Sequence, residues 1–508
     1  MATAAAVKAP PLRRIPIIPE LQPEAMAASR PYVANEAVQR AIGFPAKLID
    51  DWHEVTLAKM AELLGKYRSL QVFLDACVHC GACTDKCHYF LGTRDPLNMP
   101  VARQELMRSV YRRYFTVAGR LFPSLVGARD LTRETLEQWY TYYNQCSECR
   151  RCSVFCPYGI DTAEITMAGR EILDAVGLGQ KYSNEIIGKV HRIGNNLGLP
   201  GPALRNTLEG LEEDVKDNTG VDVRYPLDEK GAEVLLVTPS ADFFAEPHVD
   251  SLIGYGKVFH AAGISWTLSS HASEAGNFGM FIGNYEQLRS IALRIREAAL
   301  ELGVKRIVVG ECGHAWRVAY SFWNTLIGLG AGGKDPFAVA LQSQLDHRYR
   351  QPMHICEVTW DLIQRGALHF DREANDERVI TFHDSCNVAR ASGMGEEPGG
   401  QFEIPRNIIR AVANKFVEMA PETTRERTFC CGGGGGLLTD ELLELRVKGA
   451  LPRMEALQQV VDSHGVNFLA TICAICKAQF TKVLPYYGFK MNMVGGVHQL
   501  VSTAIRLK

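Results

Sequence analysis

Short apolar runs alternate with longer amphipathic segments through the second half of the chain. The clearest runs lie at Glu233–Thr238, Arg306–Val309, Arg378–His383 and Phe468–Thr471. Strands separated by helices of about ten residues or more are typical of βαβ units, whose strands run parallel. We therefore expect an α/β fold with parallel sheets from about residue 231 onward.

The order of these runs repeats along the chain. The run before Cys312 matches the run before Cys473, and Met353–Cys356 ahead of one helix matches Gly496–Gln499 ahead of another. Self-similarity of this kind indicates a duplicated unit. We predict two pseudo-symmetric lobes, at residues 231–376 and 377–508, with a cleft where they meet.

The first half is predicted to be helical. Apolar residues recur at helical spacing in Ile49–Tyr67, Val101–Phe115 and Thr132–Asn144. We expect a helical domain at residues 71–180 and a linker at 181–230, where glycine–proline punctuation and an acidic stretch occur. Residues 1–70 open with a proline-rich arm that suits docking on a partner and continue as a helix; a disordered or self-packed tail explains the arm equally well.

Composition narrows the class of protein. A chain of 508 residues with 46% hydrophobic content can hold several domains with buried cores, and its net charge of −2 gives no overall argument for nucleic-acid binding. No stretch reaches the roughly 18 consecutive apolar residues of a membrane span. The N-terminus lacks the apolar core of a secretory signal. We expect a cytoplasmic protein that reaches the cytoplasmic membrane only peripherally, through a partner.

Fifteen cysteines carry the candidate chemistry. In a reducing compartment they do not form a disulfide framework, and their close spacing suits metal clusters. Two runs of the form Cys-x2-Cys-x2-Cys-x3-Cys occur, with the members Cys77, Cys80, Cys83, Cys87 and Cys146, Cys149, Cys152, Cys156. In two-cluster ferredoxins the fourth cysteine of a run binds the other run's cluster. We predict two [4Fe-4S] cubanes with Cys156 and Cys87 exchanged in this way; structural zinc sites are the alternative.

The third cysteine group has an unusual adjacent pair. Cys386 is followed by Cys430 and Cys431, and then by Cys473 and Cys476. Five thiolates exceed what a cubane needs, and thiolates are the soft ligands that iron–sulfur assemblies prefer. The group can therefore hold an iron–sulfur assembly that an ordinary four-cysteine cubane motif would not need.

Five glycines follow the cysteine pair directly. Gly432, Gly433 and Gly434 are the predicted cofactor-binding positions, because glycine backbone approaches a cluster closely and offers N–H groups to its sulfurs. A flexible linker is the alternative. The glycines are not a phosphate-binding P-loop, since no Lys-Ser/Thr follows.

The strings HDSCNVARASGMGEEP, TFCCGGGGG and TICAICKAQF carry a family resemblance. The chain resembles the CCG-domain subunits of heterodisulfide reductases, and within them it is most similar to the DsrK subunits of DsrMKJOP sulfur-metabolism complexes. The resemblance implies two cubane clusters and one noncubane [4Fe-4S] cluster. It implies that the metal ligands of the noncubane cluster, and the catalytic residues, are Cys386, Cys430, Cys431, Cys473 and Cys476. It also implies a membrane cytochrome b partner of the DsrM kind, which supplies quinol electrons. The implied reaction is cleavage, or the reverse formation, of a disulfide or trisulfide on a DsrC-like sulfur-carrier protein.

The first lobe departs from the heterodisulfide enzymes. Where a second cysteine set is expected, this chain has Thr238-Pro239, Ser270–Ser273 and Cys312–His314. One noncubane cluster is therefore expected rather than two, and the methanogen heterodisulfide is disfavoured as substrate. CCG-domain subunits that serve lactate, glycolate or glycerol-3-phosphate oxidation, acting mainly as electron relays, are the alternative function.

Three residues are candidates for the substrate side of the site. Cys312 would face the cleft if the lobes are pseudo-symmetric, and His383 and Asp384 precede Cys386 and could supply a proton. Core packing or a supporting hydrogen bond explains each of them as well. For Cys356, core packing is the favoured interpretation.

Overall fold

The computed structural model describes residues 35–273, 277–323, 349 and 352–507. The proline-rich arm predicted at the N-terminus falls mostly outside these residues. The helices before the first sheet are α1 Glu36–Ala41, α2 Trp52–Lys66, α3 Arg68–Ala76, α4 His88–Thr93, α5 Pro100–Phe115, α6 Val117–Leu121, α7 Arg133–Tyr143, α8 Arg151–Val154, α9 Thr162–Ala175, α10 Lys181–Ile193 and α11 Gly201–Thr219. All the elements before residue 230 that the structure describes are therefore helical.

The later helices connect or flank the strands. They are α12 His248–Ala262, α13 Asn277–Phe281, α14 Tyr285–Leu302, α15 Gly313–Ser321, α16 Ile355–Gln364, α17 Cys386–Ala391, α18 Gly400–Val412, α19 Leu443–His464, α20 Ala474–Val483 and α21 Val497–Ala504. The strands are β1 Val234–Val237, β2 Trp266–Thr267, β3 Arg306–Val309, β4 Met353–His354, β5 Ile380–His383, β6 Phe468–Thr471 and β7 Val494–Gly496. Short 3-10 turns lie between several of these elements.

The helical region is built around helices that the sequence predicted. Helices α2, α5 and α7 confirm the three predicted helical segments within a few residues at each end. Local signals set their starts: Pro100 occupies the first turn of α5, and the Thr132 side chain accepts from the Thr135 N–H ahead of α7. Their buried faces, which include Met60, Met107 and Trp139, form one apolar core.

Residues 181–230, which we expected to be a linker, instead form two packed helices. The buried residues of α11 are Leu204, Leu208, Leu211 and Val215, at the spacing of one helical face. They join the core of the α/β region, as does Ile187 of α10. The acidic residues that suggested a linker are the solvent face of α11.

Both sheets are parallel, as predicted. The first has the order β2-β1-β3-β4 and the second the order β5-β6-β7. Val234 pairs with Arg306 in the first sheet, and Ile380 pairs with Phe468 in the second. All residues of β1, β5 and β6 are buried, which is expected for strands covered by helices on both faces. Strand β2 was not predicted, because two residues carry no pattern.

The two sheets share one hydrophobic core, which also takes in helices α10 and α11. The cysteines of the third group lie beyond the carboxyl ends of the second sheet: Cys386 begins α17 after β5, and Cys473 precedes α20 after β6. This is the edge at which parallel α/β sheets place their sites. Among the described residues, no helix has the length and apolar character needed to cross a membrane.

Candidate functional site

The first cysteine run lines a cavity near the surface. Cys77, Cys80 and Cys83 lie on one loop around it, and Cys156 closes it from the second run. Cys80 is exposed and the other three are half-buried. Burial raises the pKa of Cys83 to about 11. Cys152, which borders the second cavity as well, also reaches this one. The thiols of Cys77, Cys80, Cys83 and Cys156 fit a [4Fe-4S] cubane with the exchanged ligation.

The second run lines a deeper cavity. Cys146, Cys149 and Cys152 border it, and Cys87 joins them from the first run. Burial raises the pKa of Cys152 to about 12 and also raises the pKa of Cys146. The backbone N–H of Glu148 donates to Cys146 Sγ at 3.4 Å. This second set of four thiols likewise fits a cubane.

Two buried arginines beside this cavity were missed by the sequence analysis. Burial opposes the charge of Arg103, but the thiols of Cys146, Cys87 and Cys152 raise its pKa above the usual value. Arg170 donates to the Cys146 carbonyl at 2.7 Å. Both arginines occupy positions on the apolar faces of their helices, and a cation at such a position is the signal that could have revealed them.

The third group closes into a single buried set of thiols. Cys386, Cys430, Cys431, Cys473 and Cys476 are each at most 2% exposed. Hydrogen bonds from Cys149, Cys386 and Cys431 lower the pKa of Cys430 well below its usual value. Burial opposes ionisation of Cys473, but hydrogen bonds from Cys312, Cys476 and His314 lower its pKa well below the usual value. The set therefore favours the thiolate form of Cys430 and Cys473, and thiolates are the form of cysteine that binds iron.

The glycines after the cysteine pair are tightly packed rather than flexible. A Cβ at Gly435 would lie 2.7 Å from the Cys146 carbonyl oxygen, and one at Gly434 would lie 3.0 Å from His314 Nε2. A Cβ at Gly433 would meet the Gln479 side chain at 2.8 Å. The Gly432 N–H donates to Cys430 Sγ at 3.4 Å. Of the three predicted cofactor-binding glycines, Gly432 alone has an N–H that donates to a cysteine sulfur among the described contacts.

Cys312 and His314 reach the third group from the segment that follows β3 of the first sheet. Cys312 precedes α15 just as Cys473 precedes α20, and its thiol is hydrogen-bonded to Cys473. His314 Nδ1 lies 3.6 Å from Cys473 Sγ. His314 Nε2 is buried without a hydrogen-bond partner in the part of the chain that the structure describes. The segments that follow β3 and β6 thus meet directly at Cys473.

The two residues before Cys386 have different surroundings. Burial lowers the pKa of His383 to about 3, and its ring packs at 4.9 Å against Phe480, so it is neutral at ordinary pH. The two Asp384 oxygens accept from Arg406 at 2.7 and 2.8 Å, and one also accepts from the Arg425 N–H. This geometry favours a structural role for Asp384 over proton supply.

A buried polar network links the regions of the two sheets behind the cysteines. Lys477, next to Cys476, donates to Ser251 at 2.8 Å and lies 3.5 Å from Glu311 Oε2. Glu311 also accepts from His498 at 2.9 Å. Burial would raise the pKa of Glu311, but Lys477 and His498 hold it at about 2. Glu311, Cys356 and His498 are close enough to hold a metal ion, but the adjacent Lys477 ammonium opposes a cation there.

Two family models match the chain. The 4Fe-4S dicluster domain matches residues 73–160, and the CCG cysteine-rich domain matches residues 380–481. These matches confirm the predicted two-cluster ferredoxin-type region and the CCG domain, and they indicate [4Fe-4S] clusters. No solved structure matches the chain.

Similar proteins span nearly the whole chain. It is 44% identical to the Hdr-like menaquinol oxidoreductase iron–sulfur subunit 2 of Archaeoglobus fulgidus, over 90% of this chain and 84% of that protein. It is 42% identical to the corresponding iron–sulfur subunit of Archaeoglobus profundus, over 91% and 84%. It is 26% identical to one subunit of the dihydromethanophenazine:CoB–CoM heterodisulfide reductase of Methanosarcina barkeri, over 80% and 87%.

Proposed function

The chain belongs to the family of Hdr-like menaquinol oxidoreductase iron–sulfur subunits, and we propose that it delivers quinol electrons to a terminal site where a sulfur–sulfur bond is cleaved or formed. Family membership makes it an iron–sulfur subunit of an electron-transfer oxidoreductase. The terminal chemistry is our proposal. It is carried by one observation: five buried cysteines form a single set, and a sixth cysteine from the other lobe lies beside them.

Three groups of cysteines would hold the cofactors. Cys77, Cys80, Cys83 and Cys156 would bind one cubane, and Cys146, Cys149, Cys152 and Cys87 the other. Cys386, Cys430, Cys431, Cys473 and Cys476 would bind a noncubane [4Fe-4S] cluster. When bound, these clusters supply one-electron transfer and iron sites with affinity for sulfur. The two lobes would then be a duplicated unit in which the second lobe keeps the cluster.

The reaction balances in electrons and protons. Cleaving a disulfide to two thiols takes two electrons and two protons, and oxidation of one quinol releases the same number of each. Cleaving a trisulfide to two thiols takes twice as many electrons and protons and also releases hydrogen sulfide. We propose a DsrC-like carrier protein as the substrate and a DsrM-like membrane cytochrome b as the partner. A sulfur-oxidising host would run the same steps in reverse.

The residues of the first lobe would complete the terminal site. His314 is placed to stabilise negative charge on Cys473, and the adjacent Cys312 thiol is placed to contact a sulfur atom brought to that cysteine. The surrounding side chains exclude water, which strengthens these interactions. A sulfur substrate would therefore be held between the lobes, at Cys312 and Cys473.

The partner would dock on the helical region. The exposed large apolar side chains concentrate there and include Val117, Leu121, Phe122 and Leu125, the last of which is 84% exposed. Contiguous exposed apolar residues commonly mark an interface. His79, beside the exposed Cys80, bonds Glu105 at 2.8 Å, and Glu105 also contacts Arg112, whose guanidinium donates to the Val126 carbonyl. The apolar segment is thus tied to the surface cluster cavity, where electrons from a membrane partner would arrive.

A pure electron relay is the second candidate function. It is favoured by the burial of all five terminal cysteines among the described residues, because a substrate reaches a buried thiol less readily than an exposed one. Electron paramagnetic resonance separates the two functions. A new signal on adding the oxidised carrier protein, lost in Cys473→Ala while the cubane signals remain, supports catalysis. An unchanged spectrum with substrate supports the relay and overturns the proposed cleavage.

A further inference from the structure

Cys149 faces two cysteine groups at once. It lines the second cubane cavity together with Cys87, Cys146 and Cys152. Its thiol also forms a hydrogen bond with Cys430 of the terminal set. Accordingly, its side chain packs against the core of the α/β region, whereas Cys77 and Cys156 pack against the helical core.

Arginine side chains hold the two loops together at this contact. Arg390 donates to the Cys149 carbonyl at 2.5 Å and to the Thr428 carbonyl, two residues before Cys430, at 2.9 Å. Arg151 donates to the Arg427 carbonyl at 2.9 Å, and its guanidinium lies 3.7 Å from the centroid of the Phe429 ring. Such charge-assisted and cation–π contacts fix geometry. The approach of Cys149 to Cys430 is therefore built into the fold.

The opposite wall of the cavity is fixed in the same way. His88, next to Cys87, bonds the Gly449 carbonyl at 2.8 Å and Ser147 Oγ at 2.7 Å. Arg170 donates to the carbonyls of Cys146 and Gly435, at 2.7 Å each. Contacts on both sides of the cavity thus join it to the segments next to the terminal set, and Cys149 is the cysteine that borders both sites.

We propose that Cys149 is shared by the two sites: its thiolate is a ligand of the second cubane and a bridging ligand to iron held at Cys430. A thiolate has enough lone pairs to bind two iron ions. This inference rests on the proposed terminal cluster and assigns Cys149 a second role there.

Cys152 provides a matched control. It belongs to the same run and lines the second cavity, and it also borders the first. The cysteines acting on it are Cys146 and Cys87, not those of the terminal set. The test compares Cys149→Ser and Cys152→Ser in the iron-loaded full chain. Spectra are recorded at a potential that keeps the cubanes oxidised and diamagnetic, so that the terminal site alone gives a signal. We expect shifted g values in Cys149→Ser and wild-type values in Cys152→Ser.

Wild-type g values in both variants, or equal shifts of the g values in both, contradict the proposal that Cys149 is shared by the two sites. If Cys149→Ser does not accumulate as folded protein, the wild type decides. Reducing the second cubane should then split the terminal signal through the shared sulfur, and an unsplit signal contradicts the inference. A wild-type chain that shows no terminal signal at all contradicts the proposed terminal cluster instead, so the two failures are distinguishable.

Discussion

Replacing Arg170 by methionine should loosen the junction between the helical region and both lobes. Its guanidinium pairs with Glu148 at 2.9 Å, and the two side chains are 2% and 1% exposed. It also donates to the carbonyls of Phe281 and Gly435, at 2.6 and 2.7 Å. In Arg170→Met the Glu148 carboxylate remains buried without its cation. Breaking a buried pair in this way costs about 3–5 kcal/mol.

Hydrogen exchange of the backbone amides of α9, which carries Arg170, measures this cost locally. Because about 1.4 kcal/mol corresponds to a factor of ten, protection should fall by roughly two to three and a half orders of magnitude. The double variant Arg170→Met, Glu148→Gln removes both charges and should recover part of the loss. Arg365→Met is the control: it breaks an Asp361 pair whose side chains are 72% and 44% exposed, which is worth at most about 1 kcal/mol. A loss in Arg170→Met no larger than this control, or strictly additive single-variant losses, would refute the reasoning.

Three further substitutions test other parts of the structure. Gly92→Ala would place a Cβ 1.8 Å from the Lys448 carbonyl oxygen, so α4 should shift away from α19 and displace the adjacent Cys87. Iron analysis should then show the loss of about four iron atoms, which is one cubane. The control Gly210→Ala, whose Cβ would have no atom within 4 Å, should keep its iron and gain about 0.5–1 kcal/mol of unfolding free energy. Burial lowers the pKa of His354 to about 3, against about 6.5 when unfolded, so the stability due to its neutral form is complete above pH 6.5 and is lost as the pH falls towards 3. His354→Asn keeps a capping side chain and should reduce the loss of unfolding free energy between pH 7 and 5 by about 2 kcal/mol; an unchanged pH profile would contradict this assignment. Leu125→Ser should weaken co-purification with the membrane fraction, whereas Met491→Ser, at a residue 55% exposed on the second lobe, should not; equal effects would exclude the helical region as the docking surface.

The sequence alone predicted the features that depend on residues close together in the chain. The cysteine runs and the apolar strands predicted the two-cluster region, the CCG domain and the parallel sheets, because each depends on spacing within a few residues. The two helices in place of a linker were also accessible. Leu204, Leu208, Leu211 and Val215 follow helical spacing, but glycine, proline and acidic residues around them favoured the wrong interpretation.

Contacts between distant segments could not be predicted. Cys149 and Cys430 are far apart in the sequence, and their contact depends on Arg390 and Arg151, which hold the two loops together. Lys477 follows a predicted ligand, but its partners Ser251 and Glu311 come from the other lobe. Likewise, the sequence around Arg170 does not indicate that its side chain joins three separate regions of the molecule. Such roles depend on the assembled fold rather than on any local pattern.

The three cysteine sites differ in depth. In the first cavity Cys80 is exposed and its other three predicted ligands are half-buried; in the second cavity Cys87 is buried and the others are half-buried; the terminal set is buried throughout. Oxidation of cysteine follows exposure and thiolate character. Air should therefore attack the outermost cluster first and the innermost last. A preparation handled in air would lose its connection to the electron donor while its terminal site remained intact, and low turnover in such a preparation would report damage at the surface rather than at the reacting centre.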